Sequence, residues 1–222
     1  METRNRSSKN RVQADEILEI EPPTDLISFF DGKPPKLWCL GEPAILTGKL
    51  LGILSARQID SDLALATSQI LKQLASLKEV AFVGGWHSPL EKEALRILLA
   101  QTAPVVFCIP KALNRFVPPV DVENRISQGQ ALLLTHCSPK AKRITRDASI
   151  RRNQLVTGLA TAMLVLSAPT GSASLALAKS AVHRGKPVFT PEHRMNKNLL
   201  GYNALPATFD NIRIALGQEL WQ

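Results

Sequence analysis

The sequence predicts an α/β fold in which a doubly wound, mostly parallel sheet carries helices on both faces. Short apolar segments alternate along the chain with longer segments in which apolar residues recur every three or four positions. Apolar residues make up 45% of the 222 residues and aromatic residues only 5%, so aliphatic side chains must fill the core. This composition is typical of helices that cover a buried parallel sheet.

Four regions follow one another in this prediction. Residues 1–21 carry basic and then acidic side chains with few large apolar ones, which indicates a disordered tail. Residues 22–48 are rich in proline and are expected to form an irregular lead-in that packs on the sheet. The alternating pattern occupies residues 49–210, and residues 211–222 are expected to form a C-terminal helix or tail.

Six short apolar segments have the length of buried strands. They are residues 50–54, 80–83, 105–109, 131–134, 163–167 and 188–189. Helices are expected over residues 62–77 and 90–100. The second helix has Ser88 for its N-cap, Pro89 for its first position and Glu91 for a capping box. Because ligands bind where parallel strands end, the ligand-facing loops are expected to begin at Ser55, Gly84, Pro110, Thr135, Ala168 and Thr190.

The first two of these loops hold candidate ligand contacts. Arg57 follows the first strand, where its planar guanidinium can hold a phosphate through two parallel hydrogen bonds. Ser55 has no base beside it in the sequence, so a nucleophile is not expected. The second loop allows close backbone approach and places an anion at a helix start; it consists of Gly84, Gly85, Trp86, His87 and Ser88. Trp86 either stacks on a base or covers the sheet edge, and His87 is either a ligand contact or a surface residue.

The charge balance of the chain is basic. Lysine and arginine number 27 against 19 aspartate and glutamate residues, which gives a formal charge of +8. This excess favours a phosphate-bearing partner, although a generally basic surface explains it equally well. The densest basic segment of the folded part consists of Lys140, Lys142, Arg143, Arg146, Arg151 and Arg152. Nucleic-acid backbone is its natural partner, and a solvated helix face is the alternative.

Further polar groups follow this basic segment. Asn153 is expected at a helix start that faces the site, where its amide can fix a loop or a sugar. After the fifth strand, Gly171 and Ser172 open a helix whose free backbone N–H groups favour phosphate. Lys186 belongs to a second basic cluster around the last strand, which is expected to lie near Gly171.

Several function classes lack their signatures in this chain. It has neither the P-loop lysine pattern nor the Gly-x-Gly-x-x-Gly fingerprint, and no paired carboxylates for general acid and base catalysis. No cofactor and no catalytic residue are therefore expected. Cys39, Cys108 and Cys137 are widely spaced in apolar surroundings, which indicates small buried thiols and no metal site.

A membrane protein is not expected either. Residues 155–178 form an uncharged run, but the turn at Pro169 indicates a strand between two helices and not a membrane span. Residues 1–20 contain no apolar signal-peptide core, so a cytoplasmic location is expected.

Taken in order over about residues 34–205, these motifs resemble those of the DNA-processing protein A family (DprA, also called Smf). The lead-in at 37–43 is similar to the one that precedes the family's Gly-Ser-Arg motif, where this chain has Ser55-Ala56-Arg57. Gly84-Gly85 stands where the family has Ser-Gly. The Arg-Asn pair of the family resembles Arg152-Asn153, and its glycine–serine turn resembles Gly171-Ser172.

The resemblance implies an extended Rossmann-like domain that binds single-stranded DNA in a basic pocket. It also implies a homodimer that acts in natural transformation and recombination with a RecA-type recombinase. In this interpretation the phosphate-binding residues are Arg57, Lys142, Arg143, Arg152 and Lys186, and the residues that shape the pocket are Asn153, Gly171 and Ser172.

Two other functions stay open at this point. The chain also resembles the lysine-decarboxylase-like Rossmann group, which would make it a small-nucleotide binder or a nucleoside-monophosphate hydrolase. That group carries a Pro-Gly-Gly-x-Gly-Thr signature and a catalytic glutamate, neither of which occurs at Pro169-Thr170-Gly171-Ser172. The third possibility is an interaction module that has kept the sheet and lost the ligand.

Overall fold

The computed structural model describes residues 16–30 and 33–218. Within them a single sheet contains nine strands. The strands are β1 (Leu18–Ile20), β2 (Leu37–Gly41), β3 (Lys49–Ser55), β4 (Val80–Gly84), β5 (Val105–Ile109), β6 (Ala131–Thr135), β7 (Ala162–Ser167), β8 (Val188–Thr190) and β9 (Leu205–Pro206). The α-helices of the described part are α1 (Ser61–Leu74), α2 (Pro89–Ala100), α3 (Val120–Ser127), α4 (Arg146–Leu159), α5 (Ala173–His183), α6 (Lys197–Leu200) and α7 (Phe209–Ala215). Short 3-10 helices occupy Thr24–Phe29, Pro43–Thr47, Leu113–Arg115 and Arg194–Asn196.

The strand order in the sheet is β1-β2-β6-β5-β4-β3-β7-β8-β9. Strands β3 to β9 all run parallel to one another, whereas β2 is antiparallel to both of its neighbours, β1 and β6. The chain moves outward from β3 to β6 and then returns to place β7 on the other side of β3. The direction of winding therefore reverses between β3 and β7, and ligands bind at such a reversal in open α/β sheets.

The core lies on both faces of the sheet, so the predicted fold class is confirmed. On one face the sheet packs against Leu63 of α1, Leu98 of α2 and Ile212 of α7. On the other face it packs against Leu155 of α4 and Leu175 of α5. Every residue of the central strands β4 to β7 is buried, which explains why the six apolar segments could be recognised as strands.

Local sequence signals account for where several helices begin. The capping box at the start of α2 forms as predicted, with the Ser88 side chain accepting a hydrogen bond from the Glu91 N–H. Asp60, Thr145 and Ser172 cap α1, α4 and α5 in the same way. The uncharged run at 155–178 contains the end of α4, then β7, then part of α5, as predicted. No helix among the described residues is long and apolar enough to cross a membrane.

The lead-in departs from the prediction. Residues 22–48 were expected to be irregular, but residues 37–41 form β2, in which Leu40 lies opposite Leu133 of β6. Residues 18–20, assigned to the disordered tail, pair with β2 as a further strand, while residues 1–15 lie outside the described part. Proline occurs before β2 and not inside it, so the backbone donors of this strand remain available for pairing. Residues 209–215 form α7, and residues 219–222 lie outside the described part.

Candidate functional site

A crevice opens at the carboxyl ends of β3 and β7, where the direction of winding reverses. The helices that follow these two strands pack on opposite faces of the sheet, so the connecting loops diverge. The strands themselves stay joined, because the Ala56 N–H donates a hydrogen bond of 2.8 Å to the Ser167 carbonyl. Two of the predicted ligand-facing loops, those that begin at Ser55 and Ala168, form the two walls of this crevice.

Arg57 is exposed on the first wall. Among the described residues it has no hydrogen-bond or ion-pair partner, so its guanidinium is available to a ligand. Ser55 differs: it is 5% exposed, and its hydroxyl donates to the Ala56 carbonyl at 3.0 Å. The first wall therefore offers a cation and not a nucleophile.

The second wall offers backbone donors at the start of α5. Ser172 accepts a hydrogen bond from the Leu175 N–H at 3.1 Å, which leaves other N–H groups of the first turn without helical partners. Gly171 precedes it with φ +77°, a conformation that glycine adopts without strain. A helix start of this kind favours an anion, and the binding of phosphate at Gly171 and Ser172 stays a prediction.

The fully buried Asn196 fixes the second wall. Its Oδ1 accepts from the Ala168 N–H at 2.9 Å, and its Nδ2 donates to the carbonyls of Leu166 and Pro191 at 3.2 and 3.0 Å. Asn198 adds a bond of 2.6 Å to the Thr170 hydroxyl. No local sequence pattern indicates these roles, because Leu166, Ala168 and Thr170 lie 28 to 30 positions before the asparagines that contact them.

Asp60 connects the first wall to the loop after β8. Its carboxylate caps α1, lies 2.7 Å from Arg194 and 3.3 Å from His193, and is thereby held in place. The hydrogen bond from Arg194 lowers the pKa of Asp60 below its usual value. Arg194, which belongs to the second basic cluster of the sequence, is thus already paired with Asp60.

A buried carboxylate joins the loops after β3 and β4. Glu91 is 1% exposed, and its Oε1 accepts from the Ser55 N–H at 3.0 Å. Its Oε2 accepts from the N–H groups of His87 and Ser88 at 2.9 and 3.3 Å. Burial by itself raises the pKa of Glu91, but hydrogen bonds and charge at His87 outweigh this effect and lower the pKa below its usual value. Sequence reasoning found the capping role of Glu91 and missed the link to Ser55.

Arg152 lies beneath the β4–α2 loop and not at the surface. It is 4% exposed; its Nη1 donates to the Gly85 carbonyl at 3.3 Å, and its Nη2 lies 3.3 Å from Nδ1 of His87. Burial lowers the pKa of Arg152, and the charge of Glu91 counteracts this. The expectation that Arg152 holds a phosphate directly is therefore replaced by a role in which it supports the loop from below. His87 is exposed above it.

Trp86 belongs to the core. It is 6% exposed, its indole N–H donates to the Val106 carbonyl at 3.0 Å, and its ring centroid lies 5.8 Å from that of Phe107. The idea that it stacks on a base is wrong, and the alternative, that it covers the sheet, agrees with this position. A positive φ of 53° turns the side chain inward, a backbone state that the sequence does not reveal.

The basic segment after β6 lies at the same edge of the sheet as Arg57. Lys142 and Arg143 are exposed in the loop that leads to α4, whereas Arg151 pairs with Asp147 at 3.0 Å. The expectation that Asn153 stands at a helix start is wrong, because α4 begins at Arg146 and Asn153 lies in its middle, half-buried, with its carbonyl accepting a hydrogen bond from the Thr157 hydroxyl. Strands β4 and β5 separate this loop from β3. The free cations therefore form a row along the edge and not one compact pocket.

Lys186 lies at the opposite edge, which corrects the prediction that it joins this site. Its ammonium donates to the carbonyls of Gly158 and Ala160 and lies 5.2 Å from the Phe29 ring centroid. Residue 186 precedes β8, so it lies at the amino ends of the parallel strands. Strand β8 therefore separates the second basic cluster into two parts: Lys186 lies at the amino end of the strand, and Arg194 follows its carboxyl end.

His136, which follows β6, is a half-buried histidine beneath the basic row. Burial, together with the charges of Arg151 and Arg152, lowers its pKa to about 4. We expect the imidazole signals of His136 in an NMR titration to change with a midpoint near pH 4. Because the unfolded chain takes up a proton at a higher pH than the folded protein, stability should fall between about pH 6.5 and 4, by up to roughly 3 kcal/mol. His136→Asn should flatten this slope, and a midpoint at pH 6 or above would contradict the expected burial effect.

The cysteines lie largely as predicted. Cys39 and Cys108 are buried thiols, and burial raises the pKa of Cys108 to about 12. Cys137 is half-buried. Over residues 16–30 and 33–218, no group of three or more histidine, cysteine or acidic side chains is arranged to hold a metal ion.

Comparison with known proteins gives one family. The model of the family described as DNA recombination-mediator protein A matches residues 20–208. DprA of Streptococcus pneumoniae superposes with a TM-score of 0.73 at 20% identity, over 90% of this chain and 72% of that one. DprA of Helicobacter pylori, whose structure describes a single-stranded DNA binding mode, superposes with a TM-score of 0.66 at 20% identity, over 92% and 90%. At these identities the solved structures show the shared fold. No curated protein sequence matches this chain.

Proposed function

The chain belongs to the DNA recombination-mediator protein A family, and we propose that it binds single-stranded DNA along the carboxyl edge of its sheet. The main support for this proposal is the crevice between β3 and β7. There the exposed, unengaged Arg57 stands opposite the start of α5, where Gly171 and Ser172 present backbone donors. A guanidinium and a helix start are both suited to phosphate.

The length of the basic row favours a polymer over a mononucleotide. From Arg57 after β3 to Lys142 and Arg143 after β6 there are three strand intervals, or roughly 14 Å. One phosphate at Arg57 would leave Lys142 and Arg143, at the far end of this row, without a partner. A single strand that follows the edge would place successive phosphates near both ends. DprA of Helicobacter pylori, which has the same fold, binds single-stranded DNA.

We expect Arg57→Ala to weaken the binding of a fluorescent oligothymidylate by about tenfold or more, because one charge-assisted phosphate contact is lost. The slope of log affinity against log salt should become shallower by about 0.7, the value for one phosphate on a single strand. Anisotropy titrations at several salt concentrations measure both quantities.

Lys72→Ala and Lys186→Ala serve as matched controls. Lys72 is exposed in the last turn of α1, at the amino edge of the sheet, and Lys186 lies at that edge as well. Both variants should bind DNA nearly as the parent does. Equal losses in all three variants would indicate that total charge, and not the crevice, determines binding, and an unchanged affinity in Arg57→Ala would remove the crevice from the proposal.

We propose no catalytic step at this edge. The buried carboxylate near the crevice, Glu91, already accepts hydrogen bonds from three backbone N–H groups. A nucleoside-monophosphate hydrolase would release free base from its substrate. Incubation of the purified protein with nucleoside monophosphates, followed by chromatography for free base, tests for that activity.

Family membership also supports finer roles that we include in the proposal. These are participation in DNA uptake and recombination in the cytoplasm, cooperation with a RecA-type recombinase, and assembly as a homodimer. Sedimentation velocity with and without oligonucleotide measures the assembly state. A monomer at all concentrations would remove dimerisation while leaving the DNA site in place.

A further inference from the structure

The loop between β5 and α3 carries an aromatic side chain at the same edge of the sheet. Phe116 is half-buried, and the ammonium of Lys111 lies over its ring, 5.2 Å from the centroid. Arg115 and Val117, on either side of Phe116, are exposed. The loop follows β5, which lies two strand positions from β3, so it is roughly 10 Å along the edge from the crevice.

A concavity of about 490 Å³ lies at this loop. Among the described residues it is lined by Asn114, Arg115, Phe116 and Val117. Its volume is within the range of about 300–1,000 Å³ that small ligands occupy in proteins. Oδ1 of Asn114 is buried and has no hydrogen-bond partner among the described residues.

We propose that this loop forms a second subsite, in which Phe116 stacks on a base of the DNA strand whose phosphate lies at Arg57. The subsite consists of Lys111, Asn114, Arg115, Phe116 and Val117. The inference rests on the proposed DNA binding and adds to it a position for a base, at a distance from the crevice.

The contact between Lys111 and Phe116 does not block this role. Lys111 is half-buried, and a cation over an aromatic ring near the surface contributes less to binding than a base stacked on an aromatic side chain. A base can therefore displace the lysine from the ring. The displaced ammonium can then neutralise one of the phosphates that flank the base, so its charge still contributes to DNA binding.

A hydrogen bond connects the subsite to the basic row. Nδ2 of Asn114 donates to the Pro139 carbonyl at 3.3 Å, which joins the β5–α3 loop to the loop that carries Lys142 and Arg143. Phosphates next to a base held at Phe116 would thus approach exposed cations on the neighbouring loop. The order of loops along the edge gives the strand a path from Arg57, over His87, to Phe116 and Lys142.

The test compares a thymidine dinucleotide, which is too short to reach from Arg57 to Phe116, with a long oligothymidylate of about 15 nucleotides, within the range of sites on single-strand binding proteins. Phe116→Leu keeps an apolar side chain in the core contact and removes the ring. It should lower affinity for the long strand about tenfold and leave the short strand unchanged. Arg57→Ala should weaken both. Ile214→Ala, which shortens an exposed apolar side chain on α7, outside the subsite, should weaken neither.

A fluorescent adenine analogue, 2-aminopurine, placed within the long strand provides a second readout, because stacking quenches its emission. Quenching by the parent protein and its loss in Phe116→Leu would support the subsite. An unchanged affinity for the long strand, or an equal loss for both lengths, would overturn it while leaving the crevice intact. Failure of the parent protein to bind either strand would overturn the proposed function together with the subsite.

Discussion

Replacing Glu91 by alanine is expected to lower the free energy of unfolding by roughly 3–5 kcal/mol. The substitution leaves three backbone N–H groups, those of Ser55, His87 and Ser88, without their acceptor in or near the core. It also removes the negative charge beside the buried Arg152. Urea unfolding followed by circular dichroism measures the loss.

Glu93→Ala is the matched control for this prediction. Glu93 lies on the same helix and forms an ion pair of 2.6 Å with the exposed Arg96, so its removal should cost less than about 1 kcal/mol. If the two variants unfold at the same urea concentration, Glu91 does not join the two loops in solution.

The free energy of unfolding should also depend on pH through the ionisation of Glu91. Because the folded pKa of Glu91 is lowered, its charge stabilises the protein above the unfolded value of about 4.3, and this contribution is lost as the pH falls through the folded pKa. Glu91→Gln removes the titration, so its stability should vary less with pH in this acidic window.

Gly85→Ala is expected to destabilise the protein by roughly 1–3 kcal/mol and to weaken DNA binding as well. A Cβ at this position would lie 2.6 Å from Cζ of Arg152, so either the guanidinium or the loop must move. Movement of the loop would shift His87 and the end of β4 beside the crevice. Thermal unfolding and oligonucleotide anisotropy measure the two effects.

A double-mutant cycle tests whether contact with Arg152 causes the loss of stability in Gly85→Ala. With Arg152→Ala in the background, the added methyl group of Gly85→Ala has room, so the two substitutions should be far from additive. Gly48→Ala is the control, because its Cβ would meet no atom closer than 3.4 Å. Additive losses at Gly85 and Arg152 would show that the close contact between them is absent.

The sheet could be predicted from sequence wherever burial on both faces produced a continuous apolar run, as in β4 to β7. Strand β1 has no such run, and the short apolar run of β2 lies among prolines that indicated an irregular segment. The pairing of Leu40 with Leu133 also joins segments far apart in the chain. Local signals such as the Ser88 cap were correct because they depend on neighbouring residues.

The candidate site was predictable only in part, for a related reason. The position of Arg57 follows from its place after a strand, and Lys186 was misassigned because it precedes one. Burial cannot be read from a charged residue type, so Arg152 was expected at the surface. The link from Glu91 to Ser55 spans 36 positions, beyond the reach of any local pattern.

The anchoring of both crevice walls has a consequence for the speed of binding. Asn196 holds the second wall to the strand ends, and Asp60 holds the first wall to the loop after β8. Walls fixed in this way need not open or fold before a strand enters. Association would then be a diffusional encounter, accelerated by the positive charge along the edge and slowed as salt screens it, and the lifetime of the complex would distinguish one DNA strand from another.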